Sequence, residues 1–394
     1  AALWTAEPKL PKTSSGEYYL PTLYPSGWNG NPYAVGGSGY ESSHNSIPGG
    51  LNTWDQFSWF GAGSSWGPKL DGTMVRWWDG ELRPYSPQPH NREYMFQQGR
   101  ETRHNLAFSS ASDFGSIRVS ASFGDNKLPV PNVNSNNTNF SLGSNLKISK
   151  MLSAEISASY NQTNRLNSPE IGTNNSWSKF MIYGMSREYH PLEKDLYKNP
   201  DGSQHNFGGA YPHAEYSNNL FWAIYEHNQR LYRDEFLSTL KLNAEITPWL
   251  NAFIRTSADL VGSRFESKNT TTQPDHVSGG SFSKTVSKDK VFNTDVMVTV
   301  HKNDLFAKGF NASISGMYNN YSNNSVGVSG SNWSKFAVPN VYSLSNYVDR
   351  NNTSFGESRY DVQSNSLLGM LNLSYKDYLF LDVTGRNDIN STLP

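Results

Sequence analysis

Hydrophobic and polar residues alternate one by one along many stretches of the chain, which is the period of a β-strand. In the stretch from 379 to 386, the odd positions up to 383 are Leu, Leu and Val, whereas Asp382, Thr384 and Arg386 fill even positions. Such a strand has one apolar face and one polar, charged face. A barrel wall between lipid and water requires this combination, which rarely suits an aqueous core.

The same alternation predicts about eleven strands from residue 103 onwards. They are expected at 103–111, 116–123, 140–148, 152–160, 240–246, 250–258, 280–288, 291–301, 308–318, 362–375 and 377–387. Tight turns are expected near 112, 150, 248, 289, 304 and 376, and long connections over 162–235, 262–279 and 320–360. Transmembrane barrels have short periplasmic turns and longer extracellular loops, so this asymmetry predicts which end of each strand faces outward.

Two of the long connections contain residues at helical spacing. One group includes Trp177, Phe180 and Met181, and the other includes Leu220 and Ile224 with neighbouring aromatic residues. These groups predict short helices within the loops. Their aromatic side chains either pack a loop onto its neighbour or contact a ligand, and the sequence leaves both interpretations open.

Composition narrows the class of protein. No apolar run approaches the roughly 20 residues that a spanning helix needs. Aromatic residues make up 13% of the chain, with 22 Tyr and 11 Trp, as expected of interfacial girdles and ligand-binding loops.

The net charge of -1 gives no electrostatic reason to expect nucleic acid. The chain has no cysteine, which excludes disulfides and thiolate chemistry within it.

No catalytic motif stands out in the sequence. There is no His-Glu-x-x-His, no Gly-x-Ser-x-Gly and no P-loop, and the 9 His are scattered. We therefore expect no enzyme activity, no cofactor and no metal site.

The first hundred residues follow another pattern. Residues 1–99 show little alternation and many Pro and Gly, which predicts an ordered, functional loop or the edge of another domain. The chain opens at Ala1 without a signal peptide, so for an exported protein we expect the start to be missing.

Three blocks carry a resemblance to a known family. They are Ser-Trp-Gly-Pro-Lys-Leu-Asp-Gly at 65–72, Pro-Tyr-Ser-Pro-Gln-Pro at 84–89, and a tyrosine-rich strand start at 375–394 that runs into Gly-Arg-Asn-Asp and ends in Leu-Pro. In this order, and with the hairpin at 103–123, they resemble SusC/RagA-type outer-membrane transporters. The chain departs from that pattern at Ile389 and Asn390, where the family usually has an aromatic residue or Gly followed by Ser.

The resemblance implies an all-β fold, a transmembrane antiparallel β-barrel of which this chain forms about half of roughly 22 strands, with long extracellular loops. It divides the chain into 1–99, the end of the plug with the first barrel region and a long loop, and 100–394, the barrel strands. The plug, the TonB box and the carboxyl-terminal strands are expected to lie outside it.

The same resemblance implies a TonB-dependent active importer in the outer membrane of Gram-negative, Bacteroidota-type bacteria. Such an importer takes up oligosaccharides or peptides with a SusD-like lipoprotein as a lid, and TonB–ExbB–ExbD supplies energy through segments missing here. It works by binding and pulling, without catalysis.

Ligand contacts are predicted in the aromatic loop region, where flat rings stand near charged hydrogen-bonding groups. The candidates are Trp54, Trp59, Trp66, Trp77, Trp78, Asp79 and Arg83. The alternative is that these tryptophans are structural, at a corner or under the lid. Asp382 and Arg386 are predicted to face the lumen.

Two other interpretations of the whole chain stay open at this point. One is a soluble, aromatic-rich β-sandwich that binds carbohydrate, and the other is an outer-membrane adhesin.

Overall fold

The computed structural model describes residues 16–18, 46–47, 51–52, 69–76, 82–168, 197–198, 220–270, 280–333, 336–338, 341–376 and 378–392. Two small antiparallel pairs come first: β1 (Ser46–Ile47) with β2 (Leu51–Asn52), and β3 (Met74–Arg76) with β4 (Leu82–Pro84).

A ten-stranded antiparallel sheet makes up most of the described structure. Its strands are β5 (Arg100–Ser112), β6 (Gly115–Lys127), β7 (Asn134–Lys147), β8 (Leu152–Leu166), β9 (Asn228–Thr247), β10 (Leu250–Asn269), β11 (Ser281–Lys302), β12 (Phe310–Asn332), β13 (Thr353–Tyr375) and β14 (Leu379–Asn390). Each strand is hydrogen-bonded to its neighbours in sequence, from β5 at one edge to β14 at the other. This up-and-down order is that of a barrel wall.

The predicted turn near 289 is wrong. The two strands expected at 280–288 and 291–301 form one strand, β11, so the sheet has ten strands. The sequence Lys288-Asp289-Lys290 interrupts the hydrophobic alternation and imitates a turn, but all three residues pair in register with both β10 and β12.

With the two predicted strands joined into β11, every predicted short turn that remains lies on one side of the sheet. The other five predicted tight turns, near 112, 150, 248, 304 and 376, are confirmed, and all of them lie at the same edge of the sheet. An extra turn at 289 would have put the turn near 304 at the opposite edge.

The strands are longer, and the connections shorter, than the sequence predicted. β8 continues to Leu166 and β9 begins at Asn228, while β12 continues to Asn332 and β13 begins at Thr353. The long connections at the edge opposite the short turns, hereafter the outer edge, therefore cover 167–227, 270–280 and 333–352 instead of 162–235, 262–279 and 320–360, and a shorter one at 128–133 joins β6 to β7 at the same edge. The outer ends of these strands carry fewer and less regularly spaced hydrophobic residues, such as Leu231, Val326 and Val328, so their alternation is weak in the sequence.

Directly paired residues lie on the same face of an antiparallel sheet, so the register assigns every side chain to a face. One face, hereafter the apolar face, carries large hydrophobic residues along all ten strands, and its members are strongly exposed: Leu106 is 77% exposed and Leu367 is 64% exposed. They include Leu106, Val119, Leu142, Ile156, Leu242, Ile254, Val298, Ile314, Leu371, Leu381 and Val383. A soluble sandwich would bury these residues between two sheets, whereas here they are exposed on one face of a single sheet, as on the lipid-facing side of a transmembrane barrel.

The apolar residues form a band of membrane thickness. On β11 the band runs from Phe292 to Val300, which is roughly 27 Å along the strand and roughly 20 Å across a membrane when the strand is tilted by about 40°, close to the roughly 25 Å apolar band of transmembrane barrels. Exposed aromatic residues mark the short-turn edge: Phe114, Trp249, Phe306 and Tyr378 each lie in or beside a different short turn. Such rings suit the interface between acyl chains and headgroups.

One turn depends on glycine. Gly115 follows the β5–β6 turn with φ +142°, and a Cβ at this position would lie 2.0 Å from the carbonyl oxygen of Asn145 on β7. Any other residue would push β6 away from β7 at the start of their pairing.

Within the described residues the helix α1 spans Leu220–Glu226. No helix in this part of the chain is long and apolar enough to cross a membrane. The predicted helix around Leu220 and Ile224 is thereby confirmed, and its Trp222 is only 1% exposed, which favours packing over ligand contact. The other predicted helix, around Trp177, lies outside the described residues.

Candidate functional site

The second face of the sheet, hereafter the polar face, is covered by short hydroxyl and amide side chains that bond to one another across neighbouring strands. Oxygen-to-oxygen distances between hydroxyl groups are 2.6 Å for Ser120 and Ser141, 3.0 Å for Thr239 and Ser257, 2.9 Å for Thr299 and Ser315, and 2.8 Å for Ser263 and Ser287. Every pair joins residues in direct register. These ladders keep a polar wall wettable without adding net charge.

The most buried charge on this face is the carboxylate of Asp295 on β11, which is 2% exposed. The guanidinium of Arg255 on β10 donates two hydrogen bonds to Asp295 Oδ2, and Asn319 Nδ2 on β12 donates to Asp295 Oδ1 over 2.6 Å. Asn319 also donates to Asn293 Oδ1 over 2.7 Å. This network fixes three adjacent strands to one another through side chains that the register places opposite one another.

A second charged group lies nearer the β5 edge. Glu155 on β8 accepts hydrogen bonds from Asn243 Nδ2 over 2.8 Å and from Lys241 Nζ over 3.3 Å, both on β9. A concavity of about 730 Å³ runs along this part of the polar face, with Glu155, Lys241, Arg118 and Arg255 in its lining.

Asp382 and Arg386, predicted to face the lumen, lie on the polar face of β14. Asn372 Nδ2 donates to Asp382 Oδ1 over 2.6 Å, and Arg386 Nε donates to both carboxylate oxygens of Asp388 over 2.7 and 2.9 Å. Arg386 Nη2 also donates to Ser366 Oγ over 3.2 Å.

Arg386 lines another concavity of about 580 Å³, together with Asp295 and Asn319. The Asp295 network on β10, β11 and β12 and Arg386 on β14 therefore share one surface.

The predicted aromatic ligand site falls largely outside the described residues. Its five tryptophans and Asp79 are not among them. Arg83 is described: it lies in β4, directly paired with Val75 of β3, and is partly buried. Its role in ligand binding stays a prediction.

The Asp295–Arg255–Asn319 network was not predicted from the sequence. A signal was present, because Arg255 and Asp295 each occupy a polar position in an otherwise alternating strand. What the sequence alone does not contain is the register of β10 on β11, which makes these two residues direct partners.

At the outer edge of the sheet, opposite the short turns, asparagine side chains form hydrogen bonds between the loops and the strands. Asn132 Nδ2 donates to the carbonyl oxygen of Ile224 in α1 over 2.7 Å, and Asn167 Nδ2 donates to the carbonyl oxygen of Asn132 over 2.8 Å. Asn167 Oδ1 in turn accepts from the backbone N–H of Gln229 over 2.8 Å. Both Asn132 and Asn167 have φ of 56°, a left-handed conformation that Asn tolerates better than most residues.

Hydrogen bonds of another asparagine hold the loop at 333–352 to the sheet. Asn332 is 1% exposed; its Oδ1 accepts from the N–H of Phe282, and its Nδ2 donates to the carbonyl oxygen of Ser343 over 2.9 Å. Burial, together with the negative charge of Glu226, raises the pKa of Tyr342 in this loop to about 12. The phenol therefore stays neutral at physiological pH.

The polar face offers hydrogen bonds and balanced ion pairs. Among the residues that the structure describes, no three His, Asp or Glu side chains are grouped closely enough to hold a metal ion. What this surface can do chemically is hold a polar molecule or polypeptide through many weak contacts.

No protein-family model matches the sequence, and no curated protein matches it. Solved structures of the RagAB peptide importer do match. The closed-closed state shares 14% identity over 76% of this chain and 33% of that chain, with a TM-score of 0.62. The open-open state shares 16% identity over 76% of this chain and 32% of that chain, with a TM-score of 0.60. A further structure of the RagAB peptide transporter shares 16% identity over 79% and 34%, with a TM-score of 0.62.

The fold is thus similar to that of the RagAB transporter structures, in agreement with the all-β barrel fold that the sequence resemblance predicted. The chain spans about a third of the length of the solved chains that it matches. The soluble β-sandwich is rejected, because the ten long strands form one sheet whose hydrophobic face is exposed.

Proposed function

We propose that the protein is a TonB-dependent importer of the outer membrane that takes up peptides or oligosaccharides. One observation carries the proposal: the ten strands of an importer-type barrel wall have a continuous apolar face and a polar face built from paired hydroxyl, amide and ion-paired side chains. A channel for polar nutrients needs such an inner wall.

The chemistry of the polar face supports an uncharged or zwitterionic substrate. Three of its cations are paired with anions: Lys241 lies 3.3 Å from Glu155, Arg386 lies 2.7 Å from Asp388, and Arg255 donates to Asp295, whereas Arg118 donates to Ser109 Oγ over 3.0 Å. The concavities beside them therefore offer mainly hydrogen-bond donors and acceptors, with few unpaired charges. Peptide backbones and sugar hydroxyls suit such a surface.

We assign substrate selection to the extracellular loops. The tryptophan set at 54–78, with Asp79 and Arg83, remains the proposed ligand contact, since aromatic rings stack on sugar faces and peptide side chains alike. In this proposal residues 1–99 contribute that loop region, and residues 100–394 contribute the barrel wall.

We further propose a SusD-like lipoprotein as the extracellular lid, and TonB–ExbB–ExbD as the source of energy. The near-neutral charge of the chain implies a contact held mainly by apolar area and hydrogen bonds, which salt does not weaken much. The solved relative in fold is named a peptide importer, which makes peptides the first substrate class to test.

The test is uptake in the native host. Cells with the gene deleted should lose uptake of a fluorescent peptide or oligosaccharide mixture, and so should cells without TonB. Full-length protein extracted in mild detergent should bring down a stoichiometric lipoprotein at both low and high ionic strength. Normal uptake in the deletion strain, with a clean monomer in both pull-downs, would favour an adhesin instead.

A further inference from the structure

The apolar face changes character along β11. From Val300 to Phe292 its outward side chains are hydrophobic or Thr, and the next two outward positions are Lys290 and Lys288. Both lysines are exposed, and neither forms an ion pair with any residue that the structure describes. The unpaired charges therefore stand directly beyond the membrane band, within roughly 7–13 Å of Phe292 along the strand.

Neighbouring strands add further cations at this level. Arg264 on β10 pairs with Val286, so it lies diagonally across from Lys288, at roughly 7–8 Å between Cα atoms. Its guanidinium lies 4.2 Å from the ring centre of Tyr232 on β9, which holds the long side chain flat against the sheet. Lys288, Lys290 and Arg264 are hereafter the basic patch.

The acidic residues that the structure describes on this face form no ion pair with Lys288 or Lys290. Asp234 accepts hydrogen bonds from Tyr160 Oη over 2.6 Å and from Gln162 Nε2 over 3.0 Å. Asp361 lies 3.7 Å from Arg359. Glu266 lies 3.1 Å from Lys284 and 3.5 Å from Arg264, so Arg264 is the one member of the basic patch that shares an anion.

The backbone beside the lysines leaves room for a ligand. Gly262 is the direct partner of Lys288 on β10, and a Cβ at this position would meet nothing within 4 Å. An open strip therefore leads from the apolar band, past Gly262, to the ammonium groups.

We propose that the basic patch binds the phosphate group of an acylated, phosphorylated lipid in the outer leaflet of the outer membrane. The acyl chains would lie on the apolar band below, and the phosphate would lie between Lys288, Lys290 and Arg264. Continuity with the band selects a lipid over a free anion, because the cations stand at the depth of a headgroup and share a face with its acyl chains.

The experiment uses full-length protein in neutral detergent, with lipid A in mixed micelles as the probe and native mass spectrometry as the readout. Lys288→Gln/Lys290→Gln should reduce lipid A retention roughly 25-fold, since each basic residue at an anionic surface contributes about a fivefold factor. Lys147→Gln/Lys150→Gln is the matched control: it removes two exposed lysines, one on the polar face of β7 and one in the following turn. The control should stay within about twofold of the unchanged protein.

Three results would overturn the proposal: unchanged lipid A retention in Lys288→Gln/Lys290→Gln, an equal loss in both double variants, or equal displacement of lipid A by inorganic phosphate at the same concentration. The last result would assign the patch to a free anion. Lys288→Arg/Lys290→Arg keeps the charge and should retain the lipid, which separates loss of binding from loss of folding. Because the patch lies on the opposite face from the concavities, its failure would leave the proposed import function untouched.

Discussion

The inner and outer halves of the strands differ in what holds them together. Between the short turns and the end of the apolar band, hydrophobic residues alternate with polar ones, as at Leu381 and Asp382. One face there suits lipid, and the other suits water. Beyond the band the outward positions are mixed, since Asn324 is followed by Val326 and Val328, and the strands continue for up to about ten more residues, as β12 does from Asn323 to Asn332. Backbone pairing and asparagine hydrogen bonds maintain the sheet where the hydrophobic pattern becomes irregular.

The largest expected effect separates the two faces within the membrane band. Ile156→Arg places a charge on the apolar face of β8, and should reduce the free energy of unfolding by about 2–4 kcal/mol. Ser157→Arg, one residue on, points to the polar face and should be nearly neutral. Folding titrations of the complete protein into lipid vesicles measure both changes. Equal penalties would mean that both faces of the sheet are buried.

A smaller effect is expected at the Asp295 network on the polar face. Asp295→Ala leaves Arg255 and Asn319 without their carboxylate, and we expect a loss of about 2 kcal/mol, reduced because Arg255 is partly exposed. Asp382→Ala is the control, since that carboxylate is exposed and accepts one hydrogen bond, from Asn372. The same titrations provide the readout. If Asp382→Ala reduced the free energy of unfolding as much as Asp295→Ala, burial of the carboxylate would not determine its contribution to stability.

The outer half of the strands should lose local stability when an asparagine that links the loops to the strands is replaced. Asn167→Ala removes hydrogen bonds to the Asn132 carbonyl and from the Gln229 N–H, and should expose the outer ends of β8 and β9 with a local loss of about 1 kcal/mol. Hydrogen exchange at the β8–β9 pairing near Arg230 measures this loss. Asn161→Ala, further into the same strand, should leave exchange near Arg230 unchanged. Faster exchange in that control would argue against a local clamp.

The smallest effect concerns pH. Burial raises the pKa of Tyr342 to about 12, so the unfolded phenol loses its proton before the folded one does. Stability of the 333–352 loop should therefore fall as pH rises from about 10 towards 12, and should not depend on Tyr342 below that window. Tyr342→Phe should remove this part of the alkaline loss, as measured by exchange or limited proteolysis of the loop. The same alkaline loss in the Phe variant would assign it to other groups.

The sequence predicted what depends on alternation, and failed where alternation stops. Leu379, Leu381 and Val383 defined a face correctly, and Thr247-Pro248 marked a real turn. Lys288-Asp289-Lys290 was mistaken for a turn, because a strand that leaves the membrane loses its hydrophobic signal without changing direction. The Asp295–Arg255 pair was missed for a different reason: single residues on separate strands become neighbours only through register.

Sidedness is the central claim of this account, and single introduced cysteines test it most directly because the chain has none of its own. Ser345→Cys lies in the 333–352 loop, and Asn303→Cys lies in the short turn between β11 and β12; both positions are exposed. A membrane-impermeant maleimide added to intact cells should label Ser345→Cys, and should label Asn303→Cys only after the outer membrane is permeabilised. Labelling of Asn303→Cys in intact cells, with Ser345→Cys protected, would contradict the assigned orientation of the barrel wall.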